Sequence, residues 1–307
     1  MKKVIIEDGS PQAKKFAAYI KQFLTAGSIA LVIALSACGT KNEPESKTPS
    51  IIFTTTNSNM NIRLAGSGEA VIDWGEGSKQ TIALFEDYFS QSTEYIHACG
   101  RMITITGDSI THFSCNGSHV TALDVRNSLT LVFLVCGNNQ LTALDVSNNP
   151  MLEWLYCSGN QLTTFDISHN PKLCYLGCYN NKLTALNLNH NPALLDLTCG
   201  DNQLTALDLS NNSLLRSVFC RNNQLLTLNV SHNNTLWQLD CAENLLDSAA
   251  LEILFNTLPN RTGYEAGRIE IQGNTGLTTH DSSFYQTILY SLEINWDVYK
   301  SIVNNEK

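Results

Sequence analysis

Cysteine recurs every 21 residues through the middle of the chain, at Cys115, Cys136, Cys157, Cys178, Cys199, Cys220 and Cys241. Other positions keep the same interval. Five residues before each cysteine stand Ile110, Leu131, Leu152, Leu173, Leu194, Leu215 and Leu236. Two before it stand Phe113, Leu134, Leu155, Leu176, Leu197, Val218 and Leu239. Three after it come Asn139, Asn160, Asn181, Asn202, Asn223 and Asn244, with Ser118 the exception in the first unit. Then follows "LT-x-L-D", as in Leu141-Thr142-Ala143-Leu144-Asp145. No single unit this short can bury its own apolar side. Phased copies stacked on one another can, so this stretch must wind into a solenoid.

A short strand in each unit carries the residue two before the cysteine and the cysteine itself, and strand alternation turns both inward. The cysteines then form an internal column and pack as small hydrophobes. Neighbouring strands lie about 4.8 Å apart, so the thiols stack in parallel. A disulfide needs Cβ vectors aimed at each other, and a tetrahedral metal site needs convergent ligands. A parallel column supplies neither. The asparagine column is expected to bond backbone groups in the turns that leave each strand. Asp124, Asp145, Asp166 and Asp208, with Ser147, Ser168, Ser210 and Ser231, fit local turn bonding. Cys174 falls on the outward strand face and Cys99 before the repeats, too far apart to pair.

The unit reads L-x-x-L-x-(L/C)-x-x-N-x-L, the leucine-rich-repeat pattern, in a short bacterial length. With its cysteine and the continuation L-D-V-S-x-N-P, it resembles the repeats of internalin J and related bacterial surface proteins. The resemblance implies a leucine-rich-repeat solenoid, with a parallel β-sheet, a short and mostly irregular convex side, and a recognition role on a cell surface. The flanks read as caps. Residues 51–108 alternate like strands, and "IDWGEG" predicts a hairpin turn in which Asp73 and Glu76 are turn residues. This segment resembles the "DWGDG" hairpin of β-sandwich-like caps in Gram-negative surface lipoproteins. After the repeats, Asp247-Ser248 begins a helix with Leu251, Leu254, Phe255 and Leu258 on one face, stopped by Pro259. "RIEIQGN" and "EINWDVYK" read as strands, and a helix is expected near 281–291. The terminal "LP-x-R … I-x-I-x-G-N … W-x-V" resembles the end caps of the same lipoproteins.

The first residues read as a targeting segment. Lys14, Lys15 and Lys21 precede an apolar run ending in Leu35-Ser36-Ala37-Cys38, which has the length of a signal core rather than a membrane span. It resembles a bacterial lipobox, which implies lipidation of Cys38. The expected organisation is then a lipoprotein signal peptide at 1–37, a flexible tether at 38–50 and an N-terminal β cap at 51–108. Leucine-rich repeats fill 109–246, and a C-terminal α/β cap fills 247–307. Gly39 after the cysteine does not favour inner-membrane retention, by resemblance to Gram-negative lipoproteins. The expected site is therefore the cell envelope, lipid-anchored in the outer membrane and surface-exposed. Beyond Ala37 the chain carries 14 basic and 26 acidic residues, a net charge of −12. That balance argues against nucleic acid and against electrostatic docking on anionic lipid.

No catalytic glycine-serine elbow, His-Glu-x-x-His, phosphate loop or dinucleotide pattern occurs, and no cofactor is expected. His169, His190 and His232 share a turn position on the back of the solenoid, where nothing completes a metal site. The informative surface is the outward, concave face of the strands. Phe133, Trp154, Tyr156, Tyr175, Tyr179, Phe219 and Trp237 cluster there, with Asp196 and Arg216, and also Glu153 and Asp240, as polar company. Aromatic side chains at outward strand positions mark a binding surface. They predict a non-catalytic module that binds a protein or glycan, host-derived in the adhesin reading. The alternative is a structural or assembly component of the envelope with a partner on the same cell. On this reading Trp154 and Tyr156 are exposed, and alanine at both leaves the melting temperature nearly unchanged.

Overall fold

The computed structural model describes residues 49–56, 59–75, 77–86, 92–96, 101–107, 109–276 and 294–298, all within one compact unit at 47–307. The signal segment, Cys38, the expected tether up to residue 48, Cys99, Glu76 and the helix expected near 281–291 lie outside them, while Ser50, assigned to the tether, begins the first strand. Among the described residues no helix is long and apolar enough to cross a membrane.

Eight strands precede the regular repeats: β1 (Ser50–Thr55), β2 (Asn59–Gly66), β3 (Glu69–Asp73), β4 (Lys79–Ala83), β5 (Ser92–Ile96), β6 (Met102–Thr106), β7 (Ile110–Ser114) and β8 (Val120–Asp124). Then come β9 (Phe133–Val135), β10 (Trp154–Tyr156), β11 (Tyr175–Gly177), β12 (Asp196–Thr198), β13 (Ser217–Phe219) and β14 (Gln238–Asp240). Helix α1 (Ser248–Thr257), β15 (Gly267–Glu270) and β16 (Trp296–Val298) close the described chain. From β7 through β9 to β16 the strands are parallel and in register, one per unit. This is a leucine-rich-repeat solenoid.

The caps are built into the repeat sheet. At the front, β2 and β5 extend it antiparallel from β7, giving 11 strands in all. Strand β8, the "VTALD" of the first unit, leaves the solenoid and pairs with β1 of a separate five-stranded sheet. Asp73 and Lys79 close the β3–β4 hairpin, where Gly75 N donates to Asp73 Oδ1 at 3.0 Å. At the back, Asp247 caps α1 by accepting from Ala250 N at 2.8 Å, and Ala250, Leu251, Leu254, Phe255 and Leu258 are buried. The register then resumes, because Arg268 aligns with Gln238, which puts Ile271 where a cysteine would stand. Three residues on, Asn274 donates to Cys241 O at 3.0 Å and accepts from Leu246 N at 3.1 Å, as a repeat asparagine does. "RIEIQGN" is therefore an eighth, cysteine-free unit.

The seven column cysteines are free and fully buried beside the leucines. Their backbone N–H groups continue the ladder past each strand, as when Cys157 N donates to Gly177 O at 2.7 Å. Burial pushes the Cys115 and Cys178 thiols up to about 12, and the others also well above the usual range. Thiolate chemistry is closed to them.

Two asparagine columns lace the turns, and only one was expected. In the first, Asn160 Nδ2 donates to Cys136 O at 3.0 Å and Cys157 O at 2.9 Å, while Leu141 N donates to its Oδ1 at 3.0 Å. The second comprises Asn149, Asn170, Asn191, Asn212 and Asn233, thirteen residues after the five cysteines from Cys136 to Cys220 and fully buried. Asn170 Nδ2 donates to Val146 O at 3.0 Å and Asn149 O at 2.9 Å, tying one turn to the one before. The expected aspartate turns are present. Ser147 donates its Oγ–H and its N–H to Asp145, and Ser168 and Ser210 donate their N–H groups to Asp166 and Asp208, which holds those carboxyls below the usual range.

Candidate functional site

Parallel, in-register pairing places equivalent residues of successive units directly above one another. Three before the cysteine, the outward column reads His112, Phe133, Trp154, Tyr175, Asp196, Ser217 and Gln238, continued by Arg268. Its four rings form one stack. Phe133 lies 5.3 Å from His112 at 29°, Trp154 5.3 Å from Phe133 at 16°, and Tyr175 3.7 Å from Trp154 at 8°.

This geometry corrects one expectation. Trp154 is 6% exposed, because its faces are covered by Phe133 and Tyr175. Flat rings one strand spacing apart stack on each other instead of presenting their faces to solvent. The column shows its rim to the concave side, with Phe133 and Tyr175 half-buried. Alanine at Trp154 is thus not neutral for stability.

The second outward column reads Ser114, Val135, Tyr156, Gly177, Thr198, Phe219 and Asp240. Tyr156 is half-buried and lies across the glycines on either side of it. A Cβ on Gly137 or Gly177 would run into its ring, at 2.8 Å in the second case. Burial and the Tyr156 hydroxyl raise the Tyr175 hydroxyl, which hydrogen-bonds Thr198. Farther along the turn, Tyr179 is half-buried and hydrogen-bonds Asp201, which raises its own hydroxyl. Phe219 is half-buried, Arg216 is exposed and Trp237 is 41% exposed.

The predicted residues thus fall into two groups. Phe133, Trp154, Tyr156, Tyr175 and Tyr179 gather on β9 to β11 and the turn that follows. Arg216, Phe219 and Trp237 lie beyond them, with Trp237 N donating to Arg216 O at 2.9 Å. Asp196 stands at the boundary, in register with Tyr175. Its Oδ1 accepts from Ser217 Oγ, while its Oδ2 is buried without a hydrogen-bond partner. Glu153 is exposed, whereas Asp240 is buried and pairs with Arg221 at 3.8 Å. The sequence reading missed Arg221, the two glycines that receive Tyr156, and His112 as the head of the stack. His112 was legible, being a fourth flat ring in the same column.

Burial lowers His112 to about 4, and its Nδ1 lies 2.9 Å from Thr111 Oγ1. Its ordinary value is 6.5, so the unfolded chain takes up a proton as pH falls through 6.5 while the folded chain stays neutral until about 4. The stabilisation is complete above pH 6.5 and is lost toward pH 4, by about 3 kcal/mol. Urea titrations between pH 7.5 and 4.5 should show this loss in the natural protein relative to His112→Phe. Parallel curves for the two would remove His112 as the cause.

On the back of the solenoid His169, His190 and His232 are exposed, and His169 Nδ1 lies 3.1 Å from Ser168 Oγ. Among the described residues no three His, Cys, Asp or Glu side chains gather as a metal site. Cys174 donates its thiol to Glu153 O at 3.1 Å, and burial pushes it up to about 11, which opposes a reactive role.

No family model matches the chain, and no curated protein does. Several solved structures are similar to it. The functional domain of internalin J from Listeria monocytogenes, described as including a cysteine ladder, is 28% identical over 62% of this chain and 50% of that chain, with a TM-score of 0.46. A leucine-rich-repeat protein of Leptospira interrogans is 22% identical over 57% of this chain and 44% of that one, with a TM-score of 0.47. The effector YopM of Yersinia pestis is 26% identical over 48% and 44%, with a TM-score of 0.38. The chain thus spans half or less of these three structures. The fold assignment rests on the repeat geometry itself.

Proposed function

We propose that the protein is a non-catalytic recognition module whose concave face binds a protein or a glycan, displayed on the outer membrane by a lipid on Cys38. One observation carries this reading. The inward leucine and cysteine columns already meet the needs of the core, yet large aromatic side chains occupy outward strand positions and leave Tyr156, Tyr175, Tyr179, Phe219 and Trp237 partly or largely exposed. Half-exposed aromatics beside charged groups are what binding surfaces are made of. The apolar run ending at Cys38 supports the anchor.

The test is a binding screen of the purified protein on glycans, mucins, matrix proteins and the proteins of its own envelope. Beside it runs Tyr179→Ala/Trp237→Ala, which spares the ring stack and should shift stability by less than about 1 kcal/mol. A ligand bound by the natural protein and lost in the variant is the expected result. A ligand held equally by both would remove the concave face as the site. Capture of an envelope protein alone would favour an assembly role over adhesion.

A further inference from the structure

We propose that the edge of the solenoid where the chain enters its strands lies on the bilayer, held there by the lipid on Cys38. The inference rests on the anchored reading above and adds how the protein meets its membrane. Five residues lead into each strand: SLTLV into β9, then NPMLE, NPKLC, NPALL, NSLLR and NNTLW into β10 to β14. In every stretch the first and fourth side chains are buried and the other three are exposed or half-buried. A backbone ladder stacks the stretches in order, from Glu153 N on Val132 O at 2.9 Å to Trp237 N on Arg216 O at 2.9 Å. Leu129, Met151, Leu214 and Trp237 are each at least 40% exposed. Apolar side chains gathered along one edge make a contact surface.

The anchored end of the chain meets the fold at this edge. Asn127, two residues before Leu129, donates its Nδ2 to Ser50 Oγ at 3.4 Å, at the start of β1. Phe85, itself exposed, belongs to the same corner. Its carbonyl accepts from Gly66 N at 3.0 Å, Gly66 pairs with Ile110, and Ile110 O accepts from Thr130 Oγ1 at 2.8 Å. The eleven steps of chain from Cys38 to Pro49 reach about 40 Å at most. An acylated Cys38 therefore keeps this corner near the bilayer surface. A contact made by a tethered body is intramolecular, at a roughly millimolar effective concentration, so a weak apolar edge is enough to set its orientation.

The charge of the edge suits the same contact. Its six stretches hold one acid, Glu153, against two bases, Lys172 and Arg216, while beyond Ala37 the whole chain holds 26 acids and 14 bases. The acidic excess that opposes anionic lipid thus lies elsewhere, and the edge is free to dock by apolar contact. Lys172 and Arg216 can lay their stems along it with their heads at the phosphates, and an indole such as Trp237 settles at the same depth. With this edge down, the concave face stands upright and stays open to a ligand.

The test places the full acylated protein in phosphatidylcholine vesicles, with and without brominated acyl chains, and reads tryptophan emission. Trp74, Trp154 and Trp296 are buried, so the exposed Trp237 reports contact with lipid, and Trp237→Phe gives the background. Trp237 lies five strand spacings, about 24 Å, from the rung of Leu129, so the tether alone does not hold it at the bilayer. Brominated lipid should quench its emission about twofold if the edge is seated at the headgroup boundary. Trp237 stands where this edge meets the concave face, so the edge is broken at Leu129 and Leu214, which the concave face does not use. Leu129→Asn/Leu214→Asn should abolish the quenching, while Leu226→Asn, equally exposed but past the strands, should leave it unchanged. All three side chains are exposed, so these variants should fold as the natural protein does. An acylated natural protein with Trp237 unquenched would overturn the edge and leave the anchor standing. Equal loss in Leu226→Asn would mean general adsorption and would overturn it too. A native mass with Cys38 unmodified would remove the anchor and this inference together. A screened protein ligand lost in Leu129→Asn/Leu214→Asn, with Trp237 unquenched, would assign the edge to that partner instead of the membrane.

Discussion

Asn181→Ala should lower stability by about 2–3 kcal/mol, while Cys178→Ala, three residues away, should cost about 1 kcal/mol. Both side chains are buried, so the contrast lies in what each does there. Asn181 Nδ2 donates to Cys157 O at 3.2 Å, to Cys178 O at 3.1 Å and to Tyr179 O at 3.4 Å. Leu162 N donates to its Oδ1 at 3.0 Å. Alanine leaves that N–H without its acceptor, away from water, which costs on the order of 1–3 kcal/mol, while the three carbonyls each lose one donor and keep another, Asn160 Nδ2, Asn202 Nδ2 and Gly159 N. Removing the Cys178 sulfur loses only packing, through a small cavity. Two of the four bonds at Asn181 cross to the preceding unit, so its loss also weakens the coupling that makes a repeat array unfold as one. Urea unfolding followed by circular dichroism should show a lower midpoint and a shallower slope for Asn181→Ala alone. Equal costs for the two variants would sink this account.

How far the sequence could be read depended on whether a feature repeats. The inward Leu, Cys and first Asn columns were legible because every unit states them again, and parallel register turns equal spacing into equal position. Two further repeated signals went unread. The second asparagine column stands in the sequence at Asn149, Asn170, Asn191, Asn212 and Asn233, as the N of L-D-V-S-x-N-P, but outside a strand its spacing does not say which way the side chain turns. The position two after each cysteine holds Gly117, Asn138, Gly159, Asn180, Asp201, Asn222 and Glu243, and all of them have positive φ. Glycine, asparagine and aspartate tolerate that conformation, and only Glu243 departs from the pattern. The eighth unit escaped because α1 is inserted before it, which stretches the interval and hides Ile271 as the cysteine equivalent. The site was half legible. Its columns could be counted, but whether a ring shows its face or its rim depends on its neighbours in space, and that is set by the pairing of strands.

Trp154→Ala should cost about 3 kcal/mol and lower the melting temperature by roughly 8 °C, whereas Trp154→Phe should cost less than half as much. The side chain is held between Phe133 and Tyr175 with its own face area buried, as its 6% exposure records. Truncation removes that burial and two ring contacts, each worth about 0.5–1.5 kcal/mol beyond area. The gap opens to solvent on the concave side, which keeps the cost at the lower end of what a buried Trp loses. Phenylalanine keeps a flat ring in the column and most of the stacking. Calorimetry on the two variants measures the difference directly, and a melting temperature unmoved by alanine would mean the rings do not support one another. The same geometry decides how binding data must be read. Loss of Trp154 releases Tyr175, which is half-exposed on the concave side, so weaker binding in that variant reports a displaced neighbour as readily as a lost contact. Tyr179 and Trp237 lie outside the stack, and substitutions there change the surface without unseating the column that holds it in place.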